Sequence, residues 1–292
     1  MKKITKAVFP VAGMGKRFLP ATKVSPKEML PIVDKPLIQY AVEEAISAGI
    51  TELIFITGRT KRTITDHFDK AYELENELER SGELEKLEII RNIIPKDVTC
   101  IFIRQAEPLG LGHAVLCAKP VIGDQPFVVL LPDDLVESSN HGVTKQLVDI
   151  FQQEGKSIVA VEHVPKEDVS KYGIVDISGI KDKPLAEITG ILEKPKPDES
   201  PSTLGVIGRY IFTSRIFDCL EKTPTGMGNE IQLTDAIRIL LDKESVYAYK
   251  FEGTRYDCGS KLGYMQASIQ YALKDPHIKE EFFEYIKGLK IQ

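Results

Sequence analysis

The chain has 292 residues, 42% hydrophobic and 28% charged with no tryptophan, the make-up of an ordinary folded protein with a sizeable core. A formal net charge of −5 excludes a general nucleic-acid binder, and no stretch is long and apolar enough to suggest a membrane span. Cys100, Cys117, Cys219 and Cys258 are far apart, with no Cys-x-x-Cys pair or histidine cluster, so they read as reduced thiols of a cytoplasmic protein and a zinc site is rejected.

Residues 1–35 carry eight Lys/Arg against Glu28 and Asp34, a formal +6 in an acidic protein, which points to a local anion site. Within this segment, residues 7–12 form an apolar run, the first expected strand, leading into a glycine-rich turn. Residues 37–48 have helical periodicity and stop at Gly49. A strand is expected over Glu52–Thr57, a helix over 61–71, and a charged, solvated helical excursion over 72–91. Further strands are expected at 100–104 and 127–131, with a helix over 112–118 between them. From residue 157 the pattern becomes richer in strands, at 157–162, Gly173–Ile177, 187–192 and 206–212. Residues 265–272 and 279–289 read as closing helices at a subunit contact. The rhythm predicts one α/β domain: a Rossmann-like mixed, mainly parallel sheet flanked by helices, with ligands at the carboxyl ends of its strands.

The chemistry-bearing residues cluster where those strands end. The first strand runs into Ala12-Gly13-Met14-Gly15-Lys16-Arg17-Phe18-Leu19-Pro20, followed by Ser25-Pro26-Lys27-Glu28-Met29-Leu30-Pro31. Glycines there let backbone N–H groups approach a nucleotide, and Arg17 and Lys27 can neutralise its phosphates. The string is not a Walker loop, and Phe18 stands where a dinucleotide fold needs its third glycine. Leu130-Leu131-Pro132-Asp133-Asp134 delivers a carboxylate to a strand end, where a hard divalent cation and phosphates can meet. Asp134 has two readings, orienting its neighbours or facing solvent.

The full string Gly-x-Gly-x-Arg-x-x-Pro…Pro-Lys-x-x-x-Pro resembles the signature of the sugar-nucleotide pyrophosphorylases, which share a nucleotidyltransferase fold akin to glycosyltransferase A. Ser25-Pro26-Lys27-Glu28-Met29-Leu30-Pro31-Ile32-Val33-Asp34-Lys35-Pro36 is especially similar to the bacterial branch that joins UTP to glucose 1-phosphate. The likeness covers nearly the whole chain, with Lys16 where the family commonly has threonine, which adds a charge.

The resemblance implies a nucleotide site of Ala12, Gly13, Gly15, Lys27, Gln105 and Gly110, where Gln105 reads the base and Gly110 allows close approach. His113, beside them, reads as a structural hydrogen bonder. The resemblance also implies a sugar-phosphate site of Gly173, Glu193, Lys194 and Glu230, with Gly173 leaving room for the ring; Glu230 is alternatively a helix cap. Asp133 and Asp257 would bind Mg²⁺, although Asp257 also reads as a turn or capping residue. Arg17, Lys27, Asp133 and Lys194 would carry catalysis. Residues 1–135 would form mainly the nucleotide half, 136–260 mainly the sugar-phosphate half and 261–292 the closing helices of a homodimer or homotetramer. The implied reaction makes UDP-glucose and pyrophosphate; the alternatives are thymidylyl transfer, another sugar 1-phosphate, or a catalytically silent nucleotide-sugar-binding regulator.

Overall fold

The computed structural model describes residues 3–138, 140–178 and 183–289; Lys2 of the basic segment and residues 290–292 of the closing segment lie outside the described residues. The chain runs through β1 (Lys6–Pro10), β2 (Pro31–Ile32), β3 (Lys35–Pro36), α1 (Leu37–Ser47), β4 (Glu52–Thr57) and α2 (Arg62–Phe68). It continues through α3 (Tyr72–Ser81), α4 (Leu84–Arg91), β5 (Thr99–Arg104), α5 (Leu111–Leu116), α6 (Lys119–Ile122), β6 (Phe127–Leu130) and β7 (Asp134–Glu137). The second half holds α7 (Val143–Glu154), β8 (Ser157–His163), β9 (Gly173–Ile177), β10 (Leu185–Glu193) and β11 (Leu204–Phe212). It closes with α8 (Arg215–Leu220), α9 (Leu233–Leu241), β12 (Val246–Lys250), β13 (Thr254–Asp257), α10 (Lys261–Ala272) and α11 (Lys279–Gly288).

Among the described residues nine strands form one sheet in the order β5-β4-β1-β6-β11-β8-β12-β10-β9. The pairings among β1, β4, β5 and β6 and that of β8 with β12 are parallel, whereas β11 is antiparallel to β6 and β8, and β10 is antiparallel to β12 and β9. All strands of this sheet except β10 and β11 therefore run the same way, as the expected mixed, mainly parallel sheet does. The central strands are apolar on both faces because helices cover both. In β1, Val8 enters one core cluster while Ala7 and Phe9 enter the other.

Local sequence explains the punctuation. Helix α1 buries Leu37, Ile38, Ala41, Val42 and Ala45 on one face and yields at Gly49, whose φ of +88° suits a residue without Cβ. The charged excursion is two helices, broken at the left-handed Gly82 and joined by Arg91 Nε to Glu75 at 2.9 Å. The parallel order places the chain after β1, β4, β5 and β6 at one edge of the sheet. Among the described residues no helix is long and apolar enough to cross a membrane.

Candidate active site

After β1 the chain turns at the left-handed Gly15 (φ +65°), whose carbonyl accepts the Thr22 hydroxyl at 2.7 Å. A cavity of about 450 Å³ opens beside this turn, lined by Ala12, Gly13, Gly15, Lys27, Gln105 and Gly110, all six residues expected on the nucleotide side. Lys16 lines it too, so its added charge faces the same space. A Cβ placed on Gly13 would touch nothing within 4 Å, which leaves the backbone there open to a ligand. The buried Gln105 amide nitrogen donates to the Gly110 carbonyl (3.1 Å) and to His113 Nδ1 (3.0 Å), so His113 is a structural partner. Its carbonyl oxygen remains the acceptor.

Asp133 follows β6 in a tight turn, and Lys27 Nζ donates to its Oδ2 at 2.5 Å. Burial alone would raise the Asp133 pKa, but the Lys27 ammonium holds it below the usual carboxylate range. The β7–β13 ribbon pairs Asp134 with Asp257 in register, and the Cys258 N–H donates to the Asp133 carbonyl at 2.8 Å, bringing the late acid beside the early one. Burial, reinforced by the negative charge of Asp134, raises the Asp257 pKa. Asp257 Oδ1 also accepts the Gly259 N–H at 3.0 Å, while Ser260 caps α10 through Gly263, so Asp257 shapes the turn without capping the helix. Asp134 faces inward: its carboxylate accepts from Gly208 N–H (2.9 Å) and from Arg255, and it orients its neighbours.

A larger cavity of about 860 Å³ adjoins the first and is lined by Gly173, Glu193, Lys194, Asp133 and Asp257. Arg17, expected on the phosphate side, lines this larger cavity, and its Nη1 donates to the Gly259 carbonyl at 3.3 Å. Glu193 accepts from Thr234 Oγ1 and pairs with Lys194 Nζ, each at 2.9 Å. Glu230 lines both cavities, and Gln232, not Glu230, occupies the N-cap of α9, which removes the capping alternative.

Two of these glycines also pack tightly against the protein itself. A Cβ on Gly110 would lie 2.7 Å from Glu230 Cβ, and one on Gly173 would lie 2.6 Å from the Thr234 methyl. At both positions the glycine admits the protein's own chain, so close packing accounts for the missing side chain while each residue also lines its cavity.

Several charged residues behind the site escaped the sequence reading. Glu28 Oε2 accepts from Lys61 Nζ at 2.8 Å in a fully buried pair beside Lys27. Arg255 bridges Asp134 to Glu162 (2.7 Å) and stacks on the Tyr172 ring at 5.1 Å. Arg209 is 0% exposed and grips Glu44, 165 positions away in sequence. The local signals were Gly208 and Arg209 side by side in a largely apolar strand, a mark of a bulge or a close approach.

The donor set suits a hard cation. A Cβ at Gly259 would stand 2.9 Å from Asp257 Oδ1 and 3.0 Å from Asp133 Oδ2, so the missing side chain leaves a cradle between two acids. Among the described residues no group of three or more His, Cys, Asp or Glu is placed to hold a metal. Two carboxylates are nevertheless what Mg²⁺ ordinarily takes from a protein, the other positions going to phosphate oxygens and water.

A family model described as nucleotidyl transferase matches residues 6–274. The chain is 51% identical, over 100% of both chains, to a UTP–glucose-1-phosphate uridylyltransferase of Staphylococcus epidermidis. It superposes on a UTP-bound UGPase from Acinetobacter baumannii with a TM-score of 0.92 and 45% identity, covering 98% of this chain and 100% of that one. A UDP-glucose pyrophosphorylase complexed with UDP-glucose gives a TM-score of 0.85 at 47% identity, covering 93% of this chain and 100% of that one.

Proposed function

The chain belongs to the nucleotidyl transferase family, and we propose that it transfers a uridylyl group from UTP to glucose 1-phosphate, giving UDP-glucose and pyrophosphate. The observation that carries this reading is the meeting of two cavities at Asp133. One has the glycine turn, Lys16, Lys27 and Gln105; the other has Glu193 and Lys194.

The nucleotide lies along the turn, where the backbone N–H groups of Gly13 and Gly15 meet its phosphates. Gln105 gives its amide hydrogens to Gly110 and His113, so its carbonyl oxygen accepts the N3–H of uracil. Cytosine offers a lone pair there and is disfavoured; thymine shares the N–H. Lys194 holds the sugar phosphate as a point charge, Glu193 accepts from sugar hydroxyls, and Glu230 stands at the border. A phosphate oxygen of glucose 1-phosphate, already anionic, forms a bond to the α-phosphorus as the bond to pyrophosphate breaks. No proton moves, so no general base is required, and catalysis consists of positioning and charge neutralisation. Lys27 and Arg17 offset the charge of the departing pyrophosphate. Asp133 and Asp257 would hold Mg²⁺, which when bound would supply Lewis-acid charge to offset repulsion between the two anionic reactants.

Residues 1–135 serve mainly the nucleotide and 136–260 mainly the sugar phosphate, within one domain. Exposed Leu262, Met265, Phe283 and Leu289 on and beside α10 and α11 suit the contact of a homodimer or homotetramer, and the four free thiols suit the reducing cytoplasm. A panel of UTP, dTTP, CTP, ATP and GTP against several sugar 1-phosphates, followed by pyrophosphate release with and without Mg²⁺, tests the assignment. UTP with glucose 1-phosphate should turn over fastest and need the metal. A faster reaction with dTTP would make the enzyme a thymidylyltransferase, and no multiple turnover with any pair would make the chain a silent nucleotide-sugar sensor.

A further inference from the structure

Strand β11 loses register with β8 between Val206 and Tyr210, where four steps along β11 are matched by two along β8, from Val161 to Val159. Such a bulge re-aims side chains, and here Gly208 and Arg209 meet the turn that carries Asp133. The Gly208 carbonyl accepts from Leu131 N–H at 2.8 Å, and the Gly208 N–H donates to Asp134 Oδ2. Any Cβ at Gly208 would stand 2.5 Å from Leu131 Cβ and 2.6 Å from Asp134 Oδ2, so the bulge and the turn are in direct backbone contact.

The next residue, Arg209, spends its whole guanidinium on this junction. Its Nη1 donates to the carbonyl of Leu131 (2.9 Å) and its Nη2 to the carbonyl of Asp134 (2.8 Å), the two residues that bracket the Pro132-Asp133 tip. The far side of the fork is seated on Glu44, with Nε at 3.1 and 3.2 Å and Nη2 at 2.8 Å. Glu44 is itself fixed by the Thr144 N–H (2.9 Å) and hydroxyl (2.6 Å) at the start of α7. A buried ion pair of this kind gives little stability that well-packed apolar residues would not match, and its best-supported advantage is in fixing one arrangement. A lysine cannot reproduce the planar, two-pronged grip.

We propose that Arg209, seated on Glu44 and delivered by the β11 bulge, is a positioning residue that holds both ends of the 131–134 turn and thereby sets where the Asp133 carboxylate stands in the site. This rests on the assignment of Asp133 as the metal-bearing acid. Arg209 touches neither reactant; it acts through the backbone of the turn.

The test compares full-length wild type with Arg209→Lys, Glu44→Gln and Asp133→Asn. Three quantities are read: kcat and both KM values per folded molecule, Mn²⁺ affinity of the nucleotide-free protein by water-proton relaxation, and thermal stability. Outer partners of metal ligands commonly matter by 10–100-fold, so Arg209→Lys should weaken Mn²⁺ binding and kcat by roughly that much, with Glu44→Gln following in the same direction. KM for glucose 1-phosphate should stay within about 2-fold, well inside that range. Asp133→Asn should lose both Mn²⁺ binding and turnover. If Asp133→Asn keeps both, the metal assignment itself fails. If Asp133→Asn loses both while the folded Arg209 and Glu44 variants keep wild-type Mn²⁺ affinity and kcat, the positioning role alone is overturned. It is also overturned if neither of these two variants folds, since the pair then serves stability only.

Discussion

The two sides of Asp133 are built differently. On the proposed nucleotide side the space is shaped largely by backbone: the open Gly13, the left-handed Gly15 and a Gln105 amide locked to a carbonyl and an imidazole, with Lys16 and Lys27 beside them. On the proposed sugar side it is shaped by charged side chains, with Glu193 held between Thr234 and Lys194 and Arg255 stacked on Tyr172. Backbone N–H groups suit phosphates, whose charge and shape are fixed, whereas side chains can discriminate one sugar from another. The difference teaches that substitutions should separate by substrate on either side and lose that separation at the border.

The largest effect is expected at the border itself. Asp133→Asn should lower kcat by about 10³-fold, the scale of losing a key electrostatic contact to transferring phosphate, with the protein still folded by circular dichroism. Near-normal steady-state turnover in Mg²⁺ would remove Asp133 from the centre of the division. Next, Lys194→Ala should raise KM for glucose 1-phosphate roughly 10–100-fold, the cost of one charged hydrogen bond, and leave KM for UTP unchanged. Equal increases in both would erase the distinction between the sides.

The same glycine-to-alanine change sharpens the comparison within the nucleotide side. Gly110→Ala puts a methyl against Glu230 at a φ of +95° and should destabilise the fold by about 1–3 kcal/mol in urea unfolding. Gly13→Ala meets no neighbour, so its stability should stay within about 0.5 kcal/mol of wild type while KM for UTP rises. An unstable Gly13→Ala with normal UTP kinetics would make that turn structural.

The smallest expected effect is a pH slope. Burial alone would raise the Glu44 pKa, but the Arg209 guanidinium and the Thr144 hydrogen bonds hold it below the ordinary glutamate value. A carboxyl with a depressed folded-state pKa contributes stability above its unfolded value, near 4.5, and loses it as pH falls through the folded one. Thermal scans from pH 7 to 3 should therefore show the gap between wild type and Glu44→Gln narrowing below about pH 4.5. A gap that stays constant to pH 3 would mean that Glu44 carries no such linkage.

Local pattern was enough for much of this. The apolar runs located β1, β4 and β6, and helical periodicity ending at Gly49 located α1, because burial on two faces or one leaves its period in the sequence. The acid at the tip of a strand was legible for the same reason: Asp133 directly follows an apolar run that cannot continue past Pro132. Partnerships between distant segments were not legible. Nothing near Arg209 signals Glu44, and nothing near Glu28 signals Lys61; the β11 bulge delivers the first pair, and the parallel pairing of β1 with β4 sets side by side the segments that carry the second. The packing of Gly110 against Glu230 and of Gly173 against Thr234 was not legible either, because a glycine announces a close approach without saying what approaches. Strand β12 and the β7–β13 ribbon, which brings Asp257 to Asp133, also went unforeseen as elements. Asp257 itself was found only through family resemblance.

The most direct measurement is pyrophosphate release from UTP and glucose 1-phosphate by the purified protein, first with every divalent ion removed by EDTA and then with Mg²⁺ in excess over the chelator. Transfer at a cation held by Asp133 and Asp257 should give no turnover in EDTA and full recovery on adding Mg²⁺. Full-speed UDP-glucose formation in EDTA would contradict it.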